Sequence, residues 1–308
     1  MIDLNQAPPL PELFEIEIAL PDERLSETTR RLVGFQPRYA RLRRQLRLLV
    51  DGDGLRDWSR RHYGREIRLI AAMDDVLPLV LFHGDVGCGK TETAKAVANQ
   101  LVVELGQPGV FRALSTRVRG TGVVAEMSLL INGAFDEVTA DAESRLSFLL
   151  IDEADSLAET RDQEQIHHED KVAVNTLIQR LDELTRLRGR VLVFLSTNRS
   201  QALDRAITRR AVLSEEFVRP MYEERLALLR GDLAGTRIDD RDLRRLARLT
   251  GPRGEGVGFT FSDLRHRLLR EALSSAYPAR ALDSRVMIEL ARDMRPSPST
   301  SREPAGAR

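Results

Sequence analysis

The chain has 308 residues, 42% apolar and 31% charged, enough for two or three domains around a sizeable hydrophobic core. This composition excludes disorder as the main state. Basic and acidic residues number 47 each, so no global field draws the protein to nucleic acid or to a membrane surface. Only Lys90, Lys95 and Lys171 among the basic residues are not arginine, and the arginine excess carries no functional weight. A single cysteine, Cys88, rules out an intrachain disulfide and a cysteine metal cluster. With no signal-peptide pattern at Met1–Asn5, a cytoplasmic location is expected. The longest apolar runs, Val76–Phe82 and Val191–Leu195, are far below the ~20 residues that span a bilayer, so no membrane partner is expected.

In chain order, residues 1–30 hold seven acids against two arginines and read as an acidic N-terminal arm. Within it the alternation Phe14-Glu15-Ile16-Glu17-Ile18 predicts a short half-buried strand. Arg38–Arg68 reverses the balance, with ten arginines against four acids. There Leu42, Leu46 and Leu49 recur at helical spacing, and a turn follows at Asp51–Gly54. A solvated helix face explains these charges, and a phosphate-binding surface is the competing explanation. Buried-type runs at Leu79–Phe82, Val110–Leu114, Phe148–Ile151 and Val191–Ser196, with a weaker one at Glu216–Val218, alternate with helical patterns. Such alternation predicts an α/β domain, a parallel five-stranded sheet with helices on both faces, over 31–220. Amphipathic stretches at 221–233, 239–249, 261–276 and 283–294 predict a small all-helical domain over 221–295, and the Pro/Ser-rich 296–308 is expected to be disordered.

Three strand ends carry chemistry. Gly84-Asp85-Val86-Gly87-Cys88-Gly89-Lys90-Thr91 fits the phosphate-binding P-loop, G-x-x-x-x-G-K-[ST], between a predicted strand and a predicted helix. Backbone amides there would cradle phosphate, Lys90 would reach the β- and γ-phosphates, and Thr91 with the adjacent Glu92 opens the helix, the Thr91 hydroxyl facing Mg2+. Cys88 in this loop is either an acidified, oxidisable thiol or a small residue tolerated in a tight turn. Phe148–Ile151 ends in Asp152-Glu153, a Walker B pattern: Asp152 would hold Mg2+ through water, and Glu153 would orient and polarise the attacking water. The third strand ends in Asn198, an amide able to sense the γ-phosphate or that water. The order P-loop, acid pair, polar strand end points to ATP with Mg2+ as cofactors.

On these motifs the chain resembles the AAA+ ATPases over about residues 30–295. Val33-Gly34-Phe35 stands where that family has an adenine-contacting segment, so the resemblance adds Val33 and Gly34 to the nucleotide-binding residues. Gly258-Phe259-Thr260-Phe261-Ser262-Asp263-Leu264 is similar to a lid motif of the core clade. Ser262 occupies the place of a second sensor arginine, and no sensor role is assigned to it. Leu203–Arg210 is similar to the segment bearing the arginine finger, which implies that Arg209 or Arg210 reaches the nucleotide of a neighbouring subunit. The segment Asp204-x-Ala206 with Arg209-Arg210-Ala211 looks closest to the pachytene-checkpoint type, in particular its bacterial version from anti-phage second-messenger operons. That resemblance implies a homohexamer that remodels a HORMA-domain protein and disassembles its complex with a nucleotidyltransferase. It also implies a substrate-gripping pore loop at Val118, Arg119 and Gly120, although no aromatic is present there. A DNA-directed AAA+ ATPase, a replication or transposition helper using Arg38–Arg68, is the alternative, and a nucleotide-gated scaffold is a third; nucleic acid is not the expected partner because no reading motif accompanies the arginines.

Overall fold

A computed structural model describes residues 13–114, 126–154, 166–187, 189–199, 201 and 203–299. Among them, β1 (Phe14–Leu20), β2 (Leu79–Gly84), β3 (Gly109–Leu114), β4 (Leu146–Ile151), β5 (Val191–Thr197) and β6 (Leu213–Phe217) form one sheet in the order β1-β3-β4-β5-β2-β6. Five strands are parallel, as the sequence predicts, and β1 adds a sixth that runs antiparallel along the outer edge of β3. The acidic arm is thus partly sheet: Ile16, Ile18 and Leu20 turn inward while Glu15 and Glu17 face out. β1 also shields an edge that would otherwise offer unpaired backbone groups.

β3, β4 and β5 are buried along their whole length, which is why their sequences are mostly apolar rather than alternating. The strand period of two still sorts side chains between two cores. Val80, Phe82, Phe148 and Phe194 face α5 (Lys90–Leu105), with α1 (Glu23–Arg30) and α2 (Phe35–Val50) also on that side. Leu79, Leu81, Leu149, Ile151 and Val193 face α6 (Glu126–Asp141) and α7 (Ile166–Glu183). Phe82 packs between Phe194 and Phe217 in tilted contacts, at ring separations of 5.5 and 5.0 Å. Such aromatic contacts contribute roughly 0.5–1.5 kcal/mol each beyond burial.

The arginines of 38–68 lie on α2, α3 (Gly52–Tyr63), α4 (Arg68–Asp74) and their connections, and several are neutralised within the chain. Arg38 and Arg41 pair with Glu215, Arg43 with Glu104, Arg47 with Asp51, and buried Arg56 with Asp74. After α8 (Arg205–Arg210) and β6, the chain passes through Arg219-Pro220 into α9 (Tyr222–Asp232), α10 (Asp240–Leu249), a π-helical segment Asp263–Leu269 that continues into α11 (Arg270–Ala276), and α12 (Ser284–Asp293). These helices share their own core around Leu226, Leu229, Leu246, Phe259, Leu264 and Met287. Val33, just ahead of α2, packs against that core and so joins the two parts. Pro296–Ser299, expected to be disordered, instead bridge the two parts: Ser297 bonds Asp263 of the helical part and Ser299 bonds Asp85 of the sheet domain. No helix among the described residues is long and apolar enough to cross a membrane.

Candidate active site

The register of the sheet brings the chemistry together. Ile151 lies opposite Leu195 and His83 opposite Thr197, so Gly84, Asp152 and Asn198 leave the sheet side by side at one edge. This is the carboxyl edge of a parallel sheet, where ligand crevices form. Gly84 turns away with φ 130°, and a Cβ there would lie 2.2 Å from the Phe217 carbonyl oxygen, so a side chain has no room. At Gly87, φ 73°, a Cβ would lie 2.6 Å from Cβ of Ser262. The phosphate loop therefore runs directly beneath the lid, and the Ser262 amide donates to the Gly87 carbonyl at 3.1 Å.

Lys90 is buried, and its ammonium donates to the carbonyls of Gly84 at 2.8 Å and Asp85 at 3.0 Å and to Asn198 Oδ1 at 2.8 Å. Lys90 and the Asn198 amide, which follow adjacent strands, are thus physically linked. Thr91 Oγ1 donates to Asp152 Oδ2 at 2.5 Å. The other Asp152 oxygen accepts the Glu153 amide at 2.9 Å. Glu153 has φ 50°, a left-handed backbone for a residue with a side chain, a conformation that costs about 1–3 kcal/mol and is found at sites where geometry outranks comfort. It is exposed on the wall of a cleft of about 300 Å3.

That cleft gathers Val33, Val86, Gly87, Gly89, Lys90, Thr91, Glu92, Asp152, Glu153 and Asn198. Gly84, Asp85 and Cys88 complete the loop behind the lining, and Gly34 sits at the head of α2 with φ 78°. Burial and the neighbouring Asp85 carboxylate push the Cys88 thiol up to about 11, against the pull of Lys90 and Arg219. Cys88 is accordingly a small buried packing residue rather than an acidified thiol. Arg209 and Arg210 lie on α8, outside the cleft. Arg210 is held by Asp182 at 3.2 Å and by the Ala206 carbonyl, while Arg209 is exposed. Val118, Arg119 and Gly120 fall outside the described residues.

The lid wall was not foreseen residue by residue. Leu228, Phe261, Ser262, Arg265 and His266 close the cleft from above, and Arg265 is braced by both oxygens of Asp232 at 2.7 and 2.9 Å. The only signal for them was the Gly258–Leu264 motif; a lone arginine one turn later in so arginine-rich a chain gives none. The donors fit a magnesium nucleotide. A hydroxyl and a carboxylate already in contact are hard oxygen ligands, as Mg2+ requires, and the glycine-lined loop at a helix N-terminus with its lysine suits phosphate.

Comparison with known proteins agrees. The pattern of the ATPase family associated with various cellular activities (AAA) matches residues 80–220. CD-NTase-associated protein 6 of Escherichia coli strain KTE188 is 46% identical over 288 residues, covering 93% of this chain and 97% of its own. The protein of that name from E. coli strain MS 115-1 is 38% identical, covering 96% and 98%. Among solved structures, a chain in the E. coli MS115-1 HORMA:CdnC:Trip13 complex superposes with TM-score 0.82 at 36% identity, covering 95% of this chain and 99% of that one. Rhizobiales Trip13 superposes with TM-score 0.69 at 30% identity, covering 93% and 100%. A P-loop lysine bonded to a strand-end asparagine, an acid pair on the intervening strand and full-length likeness to these relatives lead to one conclusion: the chain belongs to the AAA family of nucleotide-binding ATPases, alongside the CD-NTase-associated protein 6 group.

Proposed function

We propose that this chain, assembled as a homohexamer in the cytoplasm, hydrolyses ATP to unfold part of a HORMA-domain protein, separating it from an associated nucleotidyltransferase and so switching off anti-phage signalling. The observation that carries this reading is likeness over nearly the whole chain to the Trip13 subunit of a HORMA:CdnC:Trip13 complex, joined to the linked Lys90–Asn198 and Thr91–Asp152 pairs.

In this mechanism the phosphate loop binds the nucleotide through its amides, and Lys90 exchanges carbonyl partners for phosphate oxygens. Thr91 and Asp152 would hold Mg2+, which would supply neutralisation of the phosphate charge. Glu153, set apart from the Thr91–Asp152 pair by its left-handed backbone, orients a water toward the γ-phosphate and takes up its proton. Asn198 tethers Lys90 and senses the terminal phosphate. An arginine from α8 of the neighbouring subunit stabilises transition-state charge, an effect of order 10³-fold or more. The residues at Val118–Gly120 grip the substrate polypeptide.

The test is affinity capture with the Glu153→Gln protein and ATP, which holds the substrate-engaged state. Retention of a HORMA-domain protein with its nucleotidyltransferase supports the reading. Retention of replication or transposition proteins, lost on nuclease treatment, replaces it with the DNA-directed one. The ion pairs that occupy Arg41, Arg43 and Arg47 disfavour that alternative.

A further inference from the structure

Arg219 stands where the chain leaves β6 for the lid, and its guanidinium reaches three separate parts of the molecule. Nε donates to Asp85 Oδ2 in the phosphate loop at 2.6 Å, and Nη1 to the Gly258 carbonyl of the lid at 2.7 Å. Nη2 donates to the carbonyls of Ser297 and Pro298, each at 2.9 Å. The Arg219 and Asp85 side chains are only 10% and 6% exposed. The same C-terminal residues make a second bridge. Ser299 Oγ lies 3.0 Å from both Asp85 oxygens, and the Ser297 amide and hydroxyl donate to Asp263 at 3.1 and 2.6 Å. Asp263, 1% exposed at the start of the π-helical segment, also accepts the Thr260 amide and Arg267. One carboxylate of the phosphate loop and one of the lid are therefore tied together by four residues of chain and a single guanidinium.

We propose that Arg219 is a positioning residue, and Pro296–Ser299 a strap, that together transmit the state of the phosphate loop to the lid. The geometry supplies the lever. The Asp85 carbonyl is one of the rests of Lys90, while its carboxylate is gripped by Arg219 and Ser299. When Lys90 turns to phosphate it releases that carbonyl, and the displacement of Asp85 is passed through the guanidinium to Gly258 and through the strap to Asp263. Only arginine, with a planar fork of five donors, can serve these acceptors at once; a lysine ammonium is a point charge on a flexible stem. The joint rests on nucleotide entering the cleft as assigned above.

The experiment follows lid orientation by energy transfer between dyes on Val103→Cys of α5 and Leu273→Cys of α11, both positions exposed, during ATP titration in a Glu153→Gln background. The variants are a chain ending at Arg295, Ser297→Ala/Ser299→Ala, Arg219→Gln and Arg219→Lys. In the otherwise unaltered chain ATP changes the transfer efficiency. The shortened chain and Arg219→Gln are expected to lose most of that change and to bind ATP about tenfold more weakly, within the usual range of coupling between sites. Ser297→Ala/Ser299→Ala gives a smaller loss in the same direction. Arg219→Lys restores thermal stability but not the change in transfer, which separates coupling from support of the fold. In the turnover-competent chain the same variants raise KM more than they lower kcat. A shortened chain that matches the full chain in ATP affinity and transfer change overturns the proposal, as does full recovery of the transfer change by Arg219→Lys. If the unaltered chain binds no ATP, the nucleotide reading falls and the joint with it.

Discussion

The sheet-side wall of the cleft draws Asp152 and Asn198 from the ends of two adjacent strands and Lys90 from the start of the helix that follows their neighbour β2, whereas the lid-side wall draws Leu228 from α9 and Phe261, Ser262, Arg265 and His266 from one short helical stretch. On the sheet side, relative positions are set by register, and a slip of one residue would turn every chemical group to the wrong face. On the lid side they are set by how the helical part sits on the sheet domain, an orientation held by polar contacts at Gly87, Arg219 and the C-terminal strap and by Val33 packed against the helical core. The first wall is fixed by strand pairing, and the second by contacts between two packed parts of the chain.

Experiments can press on this contrast, beginning with the largest effect. Arg209→Ala/Arg210→Ala should lower turnover by about 10³-fold or more without harming nucleotide affinity, because neither residue lies in its own subunit's cleft. Mixing those subunits with Lys90→Ala subunits should restore part of the turnover; steady-state ATPase assays on co-assembled mixtures decide, and no recovery would count against action across an interface. Glu153→Gln should cut kcat by about 10²–10⁴-fold, the span of a lost general base, with ATP affinity retained in a fluorescence titration. Unchanged turnover would remove Glu153 from its role. Gly87→Ala should weaken nucleotide binding several-fold, since its Cβ must displace Ser262; if affinity is untouched, the lid is not seated on the loop as described.

A smaller effect concerns pH. Burial by itself would raise Asp263, but hydrogen bonds from Ser297, the Thr260 amide and Arg267 outweigh it and hold the carboxyl below its usual range. A carboxylate lowered in this way stabilises the folded state above its unfolded value of about 3.9 and loses that contribution as pH falls through the folded one. The stability difference between the full chain and one ending at Arg295 should therefore persist at neutral pH and shrink below about pH 4 in chemical denaturation. Smallest of all, Cys88, buried with its thiol raised to about 11, should resist iodoacetamide at pH 8 while the chain is folded; rapid labelling would mean that the loop opens.

The contrast also explains what could be read from sequence. Asp152 and Asn198 were legible because buried parallel strands leave largely apolar runs and the polar residues that end them stand out, and Gly84 because it opens the phosphate-binding pattern Gly84–Thr91. β1 was recognised as a strand, but not as part of the sheet, because its partner β3 lies about ninety residues away and the sequence does not record antiparallel pairing at that distance. Arg219 and the strap were illegible for another reason. One arginine in a chain full of them, and a Pro/Ser-rich tail, acquire meaning only through acceptors supplied by distant segments. Register and burial leave periodic traces; single polar bridges between remote residues leave none.

The strand order has a consequence for how the chain is made. β2, which launches the phosphate loop, finds its neighbours in β5 and β6, where Leu79 faces Val193 and Val80 faces Leu213. At a synthesis rate of about 5–20 residues per second, more than a hundred residues separate the appearance of β2 from that of either partner. Through those seconds an intensely apolar strand has nothing to pair with. The nucleotide cleft is thus among the last parts of the sheet domain to form, and a nascent chain halted before Phe217 exposes a sticky edge that invites chaperone binding or aggregation.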